Sequence, residues 1–167
     1  MQNNFHNLKL RKPAISDAHA IWKLIKTSPP LDLNSLYCYL IICAHFADTS
    51  IVAEDQRGIC GFISAYIRPD SSNTLYVWQV AVKNEYKRKG VARAMLDSLL
   101  HRKFEFPINY LETTVNPYNQ ASGNFFRSTA KLLNTQCQES ILFSEKDFGD
   151  EDHEAEILYR IGPFTNY

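Results

Sequence analysis

The sequence predicts one α/β domain on a mixed, mostly antiparallel sheet with helices on both faces. Three observations carry that reading. The 167 residues are 45% hydrophobic and 22% charged, the balance of an ordinary globular domain long enough to bury a core. The hydrophobic period alternates between that of strands and that of helices. The resulting order, β-α-α-β-β-β-α-β-α-β-β, places an antiparallel front half before one β-α-β unit. The expected domain spans residues 1–167, with its core over about 8–164.

The elements follow in order. Lys9–Lys12 reads as a short edge strand stopped by Pro13. Ser16 and Asp17 suit a helix start, and Ala18, Ile21, Trp22 and Ile25 then recur at helical spacing until Pro29 and Pro30. Asn34 or Ser35 caps a second helix, with Leu36, Tyr39, Leu40, Cys43 and Ala47 along one face. Ser50–Glu54 is a β-branched strand, Asp55–Gly58 a turn, Ile59–Ile67 a second strand and Thr74–Val82 a third. Their short connections make an antiparallel meander. A helix runs from about Gly90 to His101, with Val91, Ala94, Met95 and Leu99 inward. Tyr110–Val115 is a strand. Asn119 caps a helix reaching about Leu133, with Ala121, Phe125, Thr129 and Leu132 on one face. Ile141–Phe143 and Ala155–Ile161 close the sheet, with an acidic loop between them.

Composition excludes several classes of function. Lys plus Arg and Asp plus Glu number 18 each, so the chain lacks the electrostatic drive of a nucleic-acid binder. No apolar run reaches the ~18 residues of a membrane span; the longest begins at Leu36 and is broken by His45. Met1–Lys12 lacks the apolar core of a signal peptide. Cys38, Cys43, Cys60 and Cys137 form no Cys-x-x-Cys pair, and no histidine spacing completes a zinc site. No metal is expected. Cys38, Cys43 and Cys60 sit in apolar runs and read as small buried hydrophobes. A reducing cytoplasm is the compartment these absences favour.

The chemistry concentrates at the junction Tyr86-Lys87-Arg88-Lys89-Gly90-Val91-Ala92, where a strand hands over to a helix. The first turn of a helix leaves amide N–H groups unpaired and partly positive. Gly90 and the small Ala92 let a ligand approach that backbone, and three cations stand beside it, which together suit a pyrophosphate. The plainer reading is a solvated basic turn. Neither a Walker loop nor a Gly-x-Gly-x-x-Gly fingerprint occurs.

Strand Thr74–Val82, this loop and the helix after it resemble the acetyl-CoA-binding core of the Gcn5-related N-acetyltransferase superfamily. That superfamily's loop reads Gln/Arg-x-x-Gly-x-Gly/Ala; here it is Lys87-Arg88-Lys89-Gly90-Val91-Ala92. Lysine at the first position keeps the charge but loses the planar fork. Asn119, Ala121, Phe125 and Phe126 resemble the second cofactor segment. Many members carry there a tyrosine that protonates the leaving thiolate, and Phe126 has no proton to give. Longer stretches are similar to the members that acetylate L-2,4-diaminobutyrate in the ectoine pathway of osmotically stressed bacteria. These are SPPLDLNS (28–35), YCYLIICAHFADTSIVAE (37–54), GFISAY (61–66), TLYVWQVAV (74–82), LETTVNPYNQAS (111–122) and LYRIGPF (158–164).

The resemblance implies the superfamily's fold, in which the strands flanking the glycine-loop helix splay apart. It implies acetyl-CoA as co-substrate, transfer to the γ-amine, and a homodimer. The splay leaves the amides of Val80, Ala81 and Val82 for the pantetheine and thioester oxygen, an oxyanion device made of main chain; ordinary ladder pairing is the alternative. Lys87, Arg88, Lys89, Gly90, Val91, Ala92, Asn119 and Phe125 complete the expected cofactor site.

An acceptor with two ammonium groups and a carboxylate calls for carboxylates and hydroxyls around it. Asp32, before the second helix, is a candidate to hold an ammonium, or a turn aspartate. Tyr37 and Tyr39 lie on opposite sides of that helix, so at most one faces a site comfortably. Trp78 shares a strand face with Tyr76 and Val80 and walls a pocket or packs in the core. Glu112 and Thr114 share one face of the next strand. Seven acids lie between Glu145 and Glu156, around His153. They form a solvated loop or a cation-attracting lip. Asp32, His153, Glu154 and Glu156 are the candidates to take the amine's proton, His153 because imidazole titrates near neutrality, unless water drains it. Acetylation of another small diamine, a catalytically silent acyl-CoA sensor and, more distantly, a nucleic-acid module are the competing readings.

Overall fold

The computed structural model describes residues 8–149 and 153–165. In chain order these form β1 (Lys9–Arg11), α1 (Ala18–Lys26), α2 (Leu36–His45), β2 (Ile51–Asp55), β3 (Gly58–Arg68) and β4 (Ser71–Val82), followed by α3 (Val91–Leu100), β5 (Tyr110–Val115), α4 (Gln120–Leu132), β6 (Cys137–Phe143) and β7 (Glu156–Ile161). This is the order expected from the sequence pattern. The strands stand in the order β1-β2-β3-β4-β5-β7-β6. β1, β2 and β3 pair antiparallel in succession, as do β5, β7 and β6. β3 and β4 are joined by the two-residue turn Pro69–Asp70, which permits only an antiparallel pair. β4 and β5 run parallel, with α3 as their crossover, and their register covers Thr74–Tyr76 against Tyr110–Glu112.

The chain divides into two compact units, one holding the residues up to Tyr66 with Trp78–Arg102, the other Ile67–Val77 and the residues from Lys103 on. In the first unit α2 begins where Ser35 Oγ accepts the Cys38 N–H at 3.2 Å. Ala47 lies past the end of α2, in a short 3-10 turn, because the helix stops at His45. Ile21, Ile25, Tyr39, Ile42 and Cys43 from α1 and α2 form one buried cluster with Val52, Phe62 and Ala81. The neighbour of Phe62, Gly61, presents its Cα to Met95 and Val91 of α3. Successive residues of a strand point to opposite faces, so α1 and α2 cover one face of β3 and α3 the other.

In the second unit the inward face of α4 is Gly123, Phe126, Thr129 and Ala130, while Leu132 is exposed. The helix is thus turned from the face expected of Ala121, Phe125, Thr129 and Leu132. Gly123 sets the rotation, since a Cβ there would sit 2.9 Å from the Tyr159 hydroxyl of β7. β6 begins at Cys137, earlier than the apolar run Ile141–Phe143 suggested, because Cys137–Ser140 are held by their ladder with Leu158–Ile161.

Asp17 occupies the start of α1, yet its carboxylate caps no α1 amide. It accepts the Ala14 N–H at 2.7 Å and both Arg11 guanidinium nitrogens at 2.6 and 3.0 Å, while Arg11 also reaches Glu54 at 2.5 Å. Arg11 holds the Asp17 and Glu54 carboxyls below the usual carboxylate range. A lowered folded-state pKa stabilises the fold above the unfolded pKa and is lost as pH falls through the folded one. Arg11→Gln is expected to lower stability at pH 7 by about 1–3 kcal/mol. In denaturant titrations the deficit should shrink as pH falls through the lowered pKa values of the two carboxyls and vanish once both are protonated. A deficit that does not change with pH would assign it to packing.

Candidate active site

The glycine loop falls at the N-terminus of α3. Gly90 occupies the position before the first helical residue with φ of 85°, and no side chain caps the helix there. Arg88 is also left-handed, with φ of 59°. Only glycine takes such a conformation without strain, and Gly90, exposed at the start of α3, has no side chain of its own to occupy the first-turn amides. Lys87, Arg88, Lys89 and Gly90 are all exposed. The loop is anchored by Tyr86, whose hydroxyl donates to Asp55 and accepts from Arg57 of the β2–β3 turn. Arg57 and Lys89 both lie near the Tyr86 ring, at 5.2 and 5.9 Å from its centroid. That hydrogen bond lowers the Asp55 carboxyl pKa and raises the Tyr86 phenol pKa. Anions of a pyrophosphate kind fit such a loop: donors from the main chain, cations around them, no carboxylate among residues 87–92.

Of the three residues of β4 expected to contribute amides, Val80 is half-buried, and Ala81 and Val82 are buried. The β5 ladder ends at Tyr76, and β4 continues to Val82 beyond it. Trp78 is 46% exposed, on the face it shares with the half-buried Tyr76 and Val80.

Asp32 lies in the irregular segment between α1 and α2, and its side chain is exposed. Its carbonyl accepts a hydrogen bond from Gln79 Nε2 at 2.8 Å. Tyr37 is 70% exposed and Tyr39 fully buried, so the two do take opposite sides of α2. The Tyr39 hydroxyl donates to Gln79 Oε1 at 3.2 Å and accepts the Asn34 N–H at 3.4 Å. Burial pushes its pKa up. Its polar atom is therefore engaged inside the protein, not offered outward.

In the second unit Glu112 is 1% exposed. One of its oxygens accepts Arg68 Nη1 at 2.7 Å and the other accepts Arg160 Nη1. Arg68 is gripped in turn by both oxygens of Asp70, at 2.9 and 2.6 Å, and Arg160 lies 4.0 Å from the Tyr110 ring centroid. Each oxygen of Glu112, placed by the sequence among the candidate acceptor-binding residues, thus accepts from an arginine. Thr114 Oγ1 shares a 3.1 Å hydrogen bond with the Tyr76 hydroxyl. Asn119 caps α4 by accepting the Ser122 N–H at 3.2 Å. Phe126 is buried and meets the half-buried Phe125 edge to face, 5.0 Å between centroids. His153 donates from Nδ1 to the Glu154 carbonyl at 2.7 Å and stacks on Phe148 at 3.8 Å. His153, Glu154 and Glu156 are each half-buried. Asp150, Glu151 and Asp152 of the acidic stretch lie outside the described residues. No cluster of His, Cys, Asp or Glu among the described residues could hold a metal.

Sequence reasoning missed Gln79, Arg68 and Arg160, and it gave Tyr86 no role beyond its place in the basic junction. Gln79 had left a signal: a polar residue in the inward phase of the apolar strand TLYVWQVAV must find buried partners.

A mixed sheet whose parallel pair is bridged by a helix with an open, basic N-terminus defines an acyl-CoA-dependent acetyltransferase. The acetyltransferase (GNAT) family matches residues 18–130, and the chain belongs to that family. It is 44% identical to an L-2,4-diaminobutyric acid acetyltransferase of Streptomyces coelicolor, over 95% of each chain. It is 46% identical to one of Bordetella parapertussis, over 94% of this chain and 85% of the other. Among solved structures it is similar to diaminobutyrate acetyltransferase EctA from Paenibacillus lautus, in complex with its substrate L-2,4-diaminobutyric acid and coenzyme A. That likeness has a TM-score of 0.91 and 39% identity, covering 96% of this chain and 97% of that one. Ard1 from Thermoplasma volcanium, at 15% identity and a TM-score of 0.73, shares the fold.

Gly90→Val is expected to weaken acetyl-CoA binding at least about tenfold, because a branched residue resists positive φ and screens the amides of α3. Calorimetric titration of the folded variant checks this; an unaltered Kd would remove the loop from the site.

Proposed function

We propose that the chain transfers the acetyl group of acetyl-CoA to the γ-amine of L-2,4-diaminobutyrate, giving N4-acetyl-L-2,4-diaminobutyrate and CoA. The observation that carries this is the likeness to the Paenibacillus lautus enzyme, which holds both ligands and matches 97% of its own length. The reading treats both units as one acetyltransferase domain, working as a homodimer in the cytoplasm and serving ectoine synthesis under osmotic stress.

The chain's groups support a direct transfer. The first-turn amides of α3, from Val91 and Ala92 on, and the side chains of Lys87, Arg88 and Lys89 bind the pyrophosphate, with Gly90 and the small Ala92 letting it approach. Asn119 and Phe125 flank the remainder of the cofactor. The amides of Val80–Val82, on the part of β4 beyond its β5 ladder, donate to the pantetheine and to the thioester oxygen, where negative charge develops. Asp32 is the candidate to bind an ammonium, and Tyr37, Trp78, Thr114 and Glu156 are the further candidates to bind the acceptor. Attack on the thioester carbon needs a neutral amine. His153 is suited to take its proton, because Nδ1 carries the hydrogen given to the Glu154 carbonyl, which makes Nε2 the basic nitrogen. Glu154 is the second candidate. Phe126 cannot return a proton to the thiolate, so that proton comes from water or from the base.

Incubation with both substrates should release free thiol, and NMR of the product should show acetylation at the γ-nitrogen. A mixture rich in the α-isomer would defeat the regiochemistry. A charge-assisted hydrogen bond is worth about 1.5–3 kcal/mol, or roughly 10- to 150-fold. Asp32→Asn should therefore raise the KM for diaminobutyrate by that order while the KM for acetyl-CoA stays constant. Glu154→Gln should in addition lower kcat and flatten the acidic limb of the pH–rate profile if Glu154 takes the proton.

A further inference from the structure

We propose that Gln79 is a positioning residue: it fixes the main chain at Asp32 and thereby aims the Asp32 carboxylate at the substrate's ammonium group. The inference rests on the role of Asp32 proposed above.

Gln79 lies in the middle of β4 and is 4% exposed. A primary amide brings one acceptor and two donors into the interior, and each must find a partner there. Its Nε2 donates to the Asp32 carbonyl at 2.8 Å and its Oε1 accepts the Tyr39 hydroxyl at 3.2 Å. Tyr39 passes the connection on by accepting the Asn34 N–H at 3.4 Å. The main-chain N–H of Gln79 donates to the buried Ser64 hydroxyl of β3 at 3.1 Å. One side chain thus ties residues 32 and 34 to the sheet, in a segment that forms neither helix nor strand.

Ordering a free backbone residue costs conformational entropy. A carboxylate carried on loose chain would draw that cost from substrate affinity. Gln79 shifts it to folding, so the acid meets the ammonium already oriented. The placement on β4 matters as well. Trp78 and Val80, its two neighbours, point to the opposite face of the strand, and Val80 begins the amides assigned to the thioester. One strand then sets both the acceptor's anchor and the electrophile's. Glutamine is the residue this needs: glutamate cannot donate to a carbonyl, and an apolar residue of the same length offers neither bond.

The test is steady-state kinetics on Gln79→Met, Gln79→Glu, Asp32→Asn and the Asp32→Asn/Gln79→Met double variant, each checked for folding by circular dichroism. Either Gln79 variant should raise the KM for diaminobutyrate about tenfold and leave that for acetyl-CoA within about twofold. A general loosening of the fold would move both constants. In the Asp32→Asn background Gln79→Met should add nothing, because the group it positions is gone. Tyr39→Phe removes only a hydroxyl and should raise the diaminobutyrate KM about threefold; it decides the matter if neither Gln79 variant folds. An unchanged diaminobutyrate KM in the folded Gln79 variants, or the same increase with and without Asp32, overturns the inference. An Asp32→Asn variant with wild-type constants overturns the role of Asp32 itself, and this inference with it.

Discussion

The hydrogen-bonding capacity of strand β4 is the constraint from which the rest follows. Every backbone N–H and C=O of a central strand needs a partner. On one edge β4 spends that capacity on β3; on the other it meets β5 only through Thr74–Tyr76. The main chain beyond Tyr76 continues as strand to Val82 without a β5 partner in that register, which is where the proposed mechanism puts the donors to the thioester carbonyl. The side chains of the same stretch divide by alternation. Trp78 and Val80 go to the open face, and Gln79 turns inward to reach Tyr39 and the Asp32 carbonyl. In the proposed mechanism cofactor chemistry and acceptor placement therefore share one element, and the local period of two residues keeps their groups apart.

Much of the fold was legible because long periodic segments dominate it. Helix α3 and strands β3 to β5 announce themselves through apolar spacing, and Ser35 and Asn119 mark helix starts with caps that the structure bears out. Two elements were less visible. The rotation of α4 depends on Gly123 seating against Tyr159, a contact between residues far apart in sequence that helical periodicity cannot encode. The first half of β6, CQES, has no strand pattern of its own and is held extended by β7.

The basic loop could be read from local spacing because a helix N-terminus is a local device. Carboxylates were harder, since their meaning depends on what lies opposite. The strand pattern placed Glu112 on one face with Thr114, but it could not show that Arg68 and Arg160 reach it from 44 and 48 residues away. Of Tyr37 and Tyr39, of which the helical pattern let at most one face a site, Tyr39 is buried and takes part in the core's hydrogen bonding. Asp32 looked like a turn residue or a ligand-binding acid; the anchored carbonyl lets both descriptions hold for one residue.

The pairing of Glu112 with two arginines also bears on how this enzyme can change over time. Replacing the glutamate alone strands two guanidiniums around a buried position, and replacing one arginine leaves the other short of its countercharge. Removing one member of a buried ion network costs more than exchanging the whole set for apolar residues of similar volume. Sequence drift at positions 68, 112 and 160 is therefore expected to be concerted, with the three behaving as a single inherited character while exposed acids such as Glu145 vary independently.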